Sequence, residues 1–322
     1  MPVPDVLVLG AGVIGLTAAV TIAEAGHRTT VIADEIPGRT SLAAGASWGP
    51  YHVEPHDKVN TWGRQTLTTL TELAAIPGTG VRTVCGIEAS RSADGPPAWT
   101  HRLPDVLECR SDELPPGFGT GWRYTVPVID MPLYLDYLLG RLRAAHGTVE
   151  RHHIADVTGL TSVHEVVVNC SGLGAREVAG DEAIYPIRGQ LVVVTNPGID
   201  TFFSEDTGAS QQLTHYLPHG DTVILGGTAL PGNWSREPDP ATTQAIVDRC
   251  AQIQPLLRSA HVLEERVGLR PTRPRIRLET ETTEHSLLIH NYGHGGAGVS
   301  LSWGCAVDVL KQVQSHSRHA DS

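Results

Sequence analysis

Residues 5–34, DVLVLGAGVIGLTAAVTIAEAGHRTTVIAD, leave few folds open to this chain. A short apolar run leads directly into Gly10-Ala11-Gly12-Val13-Ile14-Gly15, then into a helical pattern ending at Gly26 and a second apolar run, Thr29 to Ala33. Strand, glycine turn, helix and strand in that order make a βαβ unit of the dinucleotide-binding type. Gly10 permits the strand-to-helix turn, Gly12 lets backbone approach a pyrophosphate, and Gly15 lets the helix pack on the sheet. Asp34 ends the second run, nineteen positions after Gly15. A carboxylate there accepts hydrogen bonds from both ribose hydroxyls of an adenosine and disfavours a 2′-phosphate, which argues against NADP.

The rest of the 322 residues suits a soluble protein large enough for two domains, with 40% hydrophobic and 18% charged residues. A formal charge of −11 argues against nucleic acid or an anionic membrane as the main partner. No apolar run nears the ~20 residues of a membrane span, and the first apolar segment lacks a basic leader, so a cytoplasmic address is expected. Five cysteines, at 85, 109, 170, 250 and 305, show no CxxC or His-pair metal spacing, and no metal is expected. Strand patterns recur at 6–9, 29–33, 165–169, 190–195, 222–226 and 286–290, with helical patterns near 13–25, 61–75, 132–146, 240–257 and 300–314. The Gly- and Pro-rich stretch from 77 to 127 differs from the opening unit and marks a second domain.

A second glycine cluster lies near the C-terminus, where HNYGHGGAGVSLSWGCA (290–306) carries glycines at 293, 295, 296, 298 and 304. A glycine turn feeding a helix presents unpaired N–H groups and a positive dipole end to a ligand. In an open α/β sheet, ligands sit at the C-terminal ends of strands. The glycine segments at 10–15, 172–174 and 293–298 are therefore expected to converge, which would make the nucleotide domain discontinuous.

These residues together carry a family resemblance. Gly10 to Gly15, Gly268-Leu269-Arg270-Pro271-x-Arg273-Pro274 and His290-Asn291-Tyr292-Gly293-His294-Gly295-Gly296 resemble the D-amino-acid oxidase family of flavoproteins. So do Ala43-Ala44-Gly45 with Trp48-Gly49-Pro50-Tyr51, Asn169-Cys170-Ser171-Gly172, Arg188-Gly189-Gln190, Leu225-Gly226-Gly227-Thr228 and Gly232-Asn233-Trp234. The resemblance runs the whole length and implies a bacterial-type member. It implies FAD as cofactor and an α/β fold: a discontinuous Rossmann-like FAD-binding domain (1–60, 128–185 and 268–322) with a β-rich substrate-binding domain (61–127 and 186–267). It also implies oxidation of D-amino acids to imino acids, which hydrolyse to 2-oxo acids and ammonia, with dioxygen reduced to hydrogen peroxide.

Arg270 matches the family's substrate-binding arginine, and a guanidinium offers a planar two-pronged donor to a carboxylate. Arg273, Arg275 and Arg277 follow it and read as a strand of solvated alternating charge. By the same resemblance Tyr216 donates its hydroxyl to the substrate carboxylate, and Gln212 stands where some members carry a lid tyrosine. Gly296 would offer its backbone carbonyl to the substrate amine. Gly295, Gly296, Ala297, Gly298, Val299 and Ser300 would line the flavin ring, with the Ser300 hydroxyl at its C2 carbonyl and the helix start stabilising negative charge on the reduced ring. Ala44 and Gly45 are carried over as cofactor contacts. The loop after them departs from the family pattern: Ala46-Ser47 adds a residue, and Gly49 stands where many members have Gln.

No general base stands out, which suits hydride transfer from Cα to the flavin N5. Among sixteen histidines, His215, His219, His290 and His294 are read as structural or solvent-exposed. Ala229 occupies the position where the acidic-substrate branch has an arginine, so neutral or apolar D-amino acids are expected over D-aspartate. Arg64 and Arg236 remain without a place. The partners implied are a small D-amino acid and dioxygen, with a homodimer open. A D-aspartate oxidase, a glycine or sarcosine oxidase, a flavin dehydrogenase with another acceptor, and a non-catalytic FAD protein stand as rivals.

Overall fold

The computed structural model describes residues 5–50, 53–92, 95–206, 210–282 and 286–319. Tyr51, one of the residues carrying the resemblance, lies outside them.

Five strands form a parallel array in the order Leu287–His294, Val166–Asn169, Val6–Leu9, Thr29–Ala33, Thr148–Arg151. The first three are buried at every residue, as expected of parallel strands covered on both faces, whose sequences read as apolar runs without alternation. The helix Val13–Glu24 follows the first strand, with Leu16, Ala18, Ala19, Val20 and Ile22 fully buried. It packs against the C-terminal helix Gly298–His319.

The other part of the sheet is mainly antiparallel. Tyr185–Thr195, Thr222–Thr228 and Gln212–His219 are successive antiparallel neighbours, followed by Phe202–Asp206, Val81–Ser90 and Thr120–Ile129. One strand of 21 residues, Val262–Thr282, joins the two parts. Its first half pairs with Tyr185–Thr195 and its second with Leu287–His294, and Thr272 is in register with both Tyr185 and His294. Charged residues fill much of this strand, and Val267, Leu269, Ile276 and Leu278 are its buried apolar positions, so no strong strand signal extends over its length.

All four of the expected boundaries cut continuous elements, and 185/186 falls after the first residue of Tyr185–Thr195. Residues 60/61 lie within the helix His56–Ala74, 127/128 within Thr120–Ile129 and 267/268 within Val262–Thr282. The helix belongs with the parallel part: a Cβ at Gly304 would stand 2.2 Å from the Trp62 Cα, and the Gly304 N–H donates to Thr66 Oγ1 at 3.0 Å.

Candidate active site

A cleft of ≈ 1070 Å³ opens where the C-terminal ends of the parallel strands meet the antiparallel part. At one end Gly10 takes φ +100°, and a Cβ there would lie 2.4 Å from the Cys170 carbonyl oxygen. A Cβ on Gly15 would lie 1.9 Å from the Gly10 carbonyl oxygen, so strand, turn and helix meet backbone to backbone. Gly10, Ala11, Gly12, Val13 and Ile14 line the cleft, whereas Gly15 works through packing. The Val13 N–H donates to Ser41 Oγ at 2.9 Å, so a hydroxyl oxygen already stands where a phosphate oxygen is expected. Asp34 lines the cleft as well and lies 2.9 Å from His153 Nδ1, with both side chains exposed.

Ala44 and Gly45 line the middle of the cleft, and Gly295, Gly296, Gly298 and Val299 its far end. Ala297 and Ser300 do not line it. Ala297 packs with Val59, Trp62 and Leu301, and Ser300 Oγ accepts the Gly49 N–H at 3.0 Å. The serine thus ties the 45–50 loop to the helix start. The cleft slightly exceeds the usual ~300–1,000 Å³ of small-ligand sites, room for an extended dinucleotide. An acid, a glycine turn and a helix N-terminus in this order fit FAD.

Arg270 projects from the long joining strand. Its guanidinium lies over Gly189, where a Cβ would come within 2.6 Å of Nη1 and 2.7 Å of Nη2. Nη1 donates to the Thr228 carbonyl oxygen at 3.0 Å. Among the described residues no carboxylate pairs with it, and burial lowers its pKa from the usual arginine value. A cation in that position is costly until an anion arrives. Its neighbours in sequence are already engaged. Arg273 pairs with Asp181 at 2.8 Å, and Arg277 with Glu279, Glu281 and the Tyr292 hydroxyl. Gly296 stands beside Arg270, its Cβ position 3.5 Å from the arginine Cδ.

Tyr216 and Gln212 are not brought to the cleft. Tyr216 is buried on the opposite face of its strand, its ring 5.8 Å from Phe203 and its hydroxyl bonded to Gln254, and burial raises its pKa to about 12. Side chains alternate along a strand, so His215 faces the cleft in its place. A bulge between Gln212 and His215 similarly leaves Gln212 exposed, while Gln211 and Leu213 line the cleft. Nothing in the run His215-Tyr216-Leu217-Pro218 says which face the strand turns inward.

His219, His290 and His294 are buried, in keeping with structural roles; His294 also borders the cleft. Burial holds the pKa of His219 down to about 4 and that of His294 to about 3. His215 is brought to about 4 by burial and by the charges of Arg270 and Arg249. In the unfolded chain all three bind protons near pH 6.5. Between that value and ~4 the unfolded state holds more protons, so this stability is complete above pH 6.5 and falls with pH, by up to ~1.4 kcal/mol per unit for each histidine. The urea midpoint of the FAD-free chain is therefore expected to drop steeply from pH 7 to pH 5. A flat midpoint over that range would contradict the burial of these rings.

Residues 5–311 match the FAD dependent oxidoreductase (DAO) family. A D-amino-acid oxidase from Rubrobacter xylanophilus is 47% identical over 306 residues, covering 94% of each chain. One from Streptomyces coelicolor is 44% identical, covering 95% of this chain and 96% of the relative. Among solved structures, glycine oxidase from Geobacillus kaustophilus superposes with a TM-score of 0.81 at 19% identity, covering 97% of this chain and 95% of its own. That likeness speaks to the two-domain fold.

Proposed function

The chain belongs to the FAD dependent oxidoreductase family, and from that premise we propose that its cleft carries out FAD-dependent oxidative deamination of D-amino acids. The observation that carries this reading is Arg270, half-buried in the cleft wall, its guanidinium desolvated and with no carboxylate partner among the described residues. The carboxylate of an amino acid supplies the missing anion through a two-pronged charge-assisted contact. The Gly296 carbonyl accepts from the amine and fixes the remaining orientation. FAD held here would supply the acceptor for the Cα hydrogen and its electron pair, with dioxygen as the final oxidant and hydrogen peroxide as its product, so no side chain would have to remove an α-proton. The start of the Gly298–His319 helix stabilises negative charge beside it. The imino acid hydrolyses to a 2-oxo acid and ammonia.

Asp34, the Gly10–Gly15 turn and Ala44-Gly45 are assigned to the cofactor. The parallel part of the sheet serves as the FAD domain and the antiparallel part as the substrate domain, with the domain edges moved off the elements they would cut. Free cysteines throughout favour a reducing compartment, in support of a cytoplasmic address.

Ile187, Leu191, Leu213, Ala229 and Pro231 give the cleft apolar walls. Arg236 also reaches it but lies 3.5 Å from Glu35, and Arg64 is exposed on the helix His56–Ala74. Arg39 also lines the cleft and shares Glu35 with Arg236, so among the described residues Arg270 is the one cleft cation without a carboxylate partner, which favours neutral and apolar D-amino acids. Anaerobic mixing with a panel of amino acids tests this through bleaching of the yellow flavin band. D-alanine, D-valine and D-methionine are expected to bleach it, their L-enantiomers not, and D-aspartate slowly. Faster bleaching by D-aspartate or glycine would overturn the substrate assignment.

A further inference from the structure

We propose that His215, through a ring N–H, is the second donor to the substrate carboxylate, completing with Arg270 a clamp built over a floor of glycines. This rests on the reading of Arg270 as the carboxylate site. The two side chains start from different strands with two strands between them: His215 from Gln212–His219 and Arg270 from Val262–Thr282, separated by Thr222–Thr228 and Tyr185–Thr195. Each reaches inward across a position that carries no side chain. The imidazole lies on Gly226, where a Cβ would be 1.9 Å from Nε2 and 2.0 Å from Cε1, and it borders Gly227. The guanidinium lies on Gly189 and continues to the Thr228 carbonyl. With side chains at these positions the two groups could not lie as they do.

His215 borders the cleft, and neither ring nitrogen has a hydrogen-bond partner among the described residues. Its surroundings are cationic, with the charges of both Arg270 and Arg249 felt at the ring. Arg249 donates to the Leu213 and Gly227 carbonyls and holds the strands on either side of the ring. The imidazole therefore stays neutral at physiological pH, offering one N–H and one lone pair. The N–H suits a carboxylate already held by Arg270. It also gives the site a donor on the side of the cleft where Tyr216, turned away, provides none.

Steady-state kinetics with FAD-loaded enzyme test this with two probes, D-alanine and its 2-oxo acid product pyruvate, which keeps the carboxylate and lacks the amine. His215→Phe is expected to raise the KM for D-alanine and the competitive Ki for pyruvate together by roughly 10- to 100-fold, as for a lost hydrogen bond to a charged group. The kcat should stay within about threefold. His215→Gln, which restores a donor, should recover most of both constants, and Tyr216→Phe should change neither. If the phenylalanine variant does not retain FAD, His215→Leu serves the same comparison. A KM within twofold of wild type overturns the proposal. So does a raised KM with unchanged pyruvate Ki, which would put His215 on the amine, or a collapsed kcat with KM unchanged, which would make it a base. Arg270→Ala with an unaltered KM would instead sink the clamp reading itself, whatever His215 does.

Discussion

Arg270→Ala lowers kcat/KM for D-alanine by roughly 10²- to 10⁴-fold, the cost of removing one partner from a buried, hydrogen-bonded charge pair. The loss falls mainly on KM, because in the proposed site the guanidinium holds the part of the substrate that does not react. Arg270→Lys recovers little of it, since an ammonium cannot reproduce the planar fork. The same site predicts the opposite effect on stability. Without substrate, Arg270 is a half-buried, desolvated cation whose one hydrogen bond among the described residues goes to the Thr228 carbonyl, and replacing such a charge with an apolar side chain of similar length is often neutral or stabilising. Arg270→Met is therefore expected to keep FAD, to melt no lower than wild type without ligand, and to lose activity. Thermal melts and flavin absorbance on the same preparation check it. A large drop in melting temperature would mean that the guanidinium serves the fold first.

Gly15→Ala has the largest expected effect on cofactor binding. The added methyl would sit 1.9 Å from the Gly10 carbonyl oxygen and 3.3 Å from Cys170 Cβ. The first of these is backbone held by the strand and cannot swing aside, so the helix must lift from the sheet at a cost of about 3 kcal/mol or more. The Gly10–Val13 turn moves with it. FAD affinity is expected to fall by roughly a hundredfold or more, giving a colourless purified protein with a lowered melting temperature. Gly140→Ala is the control, since its Cβ would meet nothing within 4 Å and an exposed helix gains from alanine. Retention of FAD by Gly15→Ala would show that the turn tolerates separation from the sheet.

The parts of this protein that could be read in advance are those in which local sequence and local structure obey the same rule. Val6–Leu9, Val166–Asn169 and Leu287–His294 are buried on both faces, so their apolar runs announce them. Gly10 and Gly15 are required by contacts within a few residues or with the adjoining strand. Arg270 was visible through its motif, and the lack of a carboxylate partner among the described residues distinguishes it from Arg273 and Arg277. What stayed hidden depends on register. Moving one residue along Gln212–His219 exchanges Tyr216 for His215, because neighbours on a strand face opposite sides of the sheet. The bulge after Gln212 is likewise set by pairing with Thr222–Thr228. The joining strand was unreadable over its length because its pairing partners are distant in sequence and much of its charge meets solvent.

That joining strand also shapes how the site operates in time. The parallel and antiparallel parts of the sheet are zipped to one backbone at Thr272, two residues from Arg270, so they cannot rotate apart as independent bodies without breaking sheet hydrogen bonds. The entropy of bringing them together is spent once, at folding, and is not charged again at each turnover. A substrate therefore meets a receptor already assembled. In stopped-flow terms, capture should be a single phase whose rate is linear in concentration, with no saturating closure step behind it.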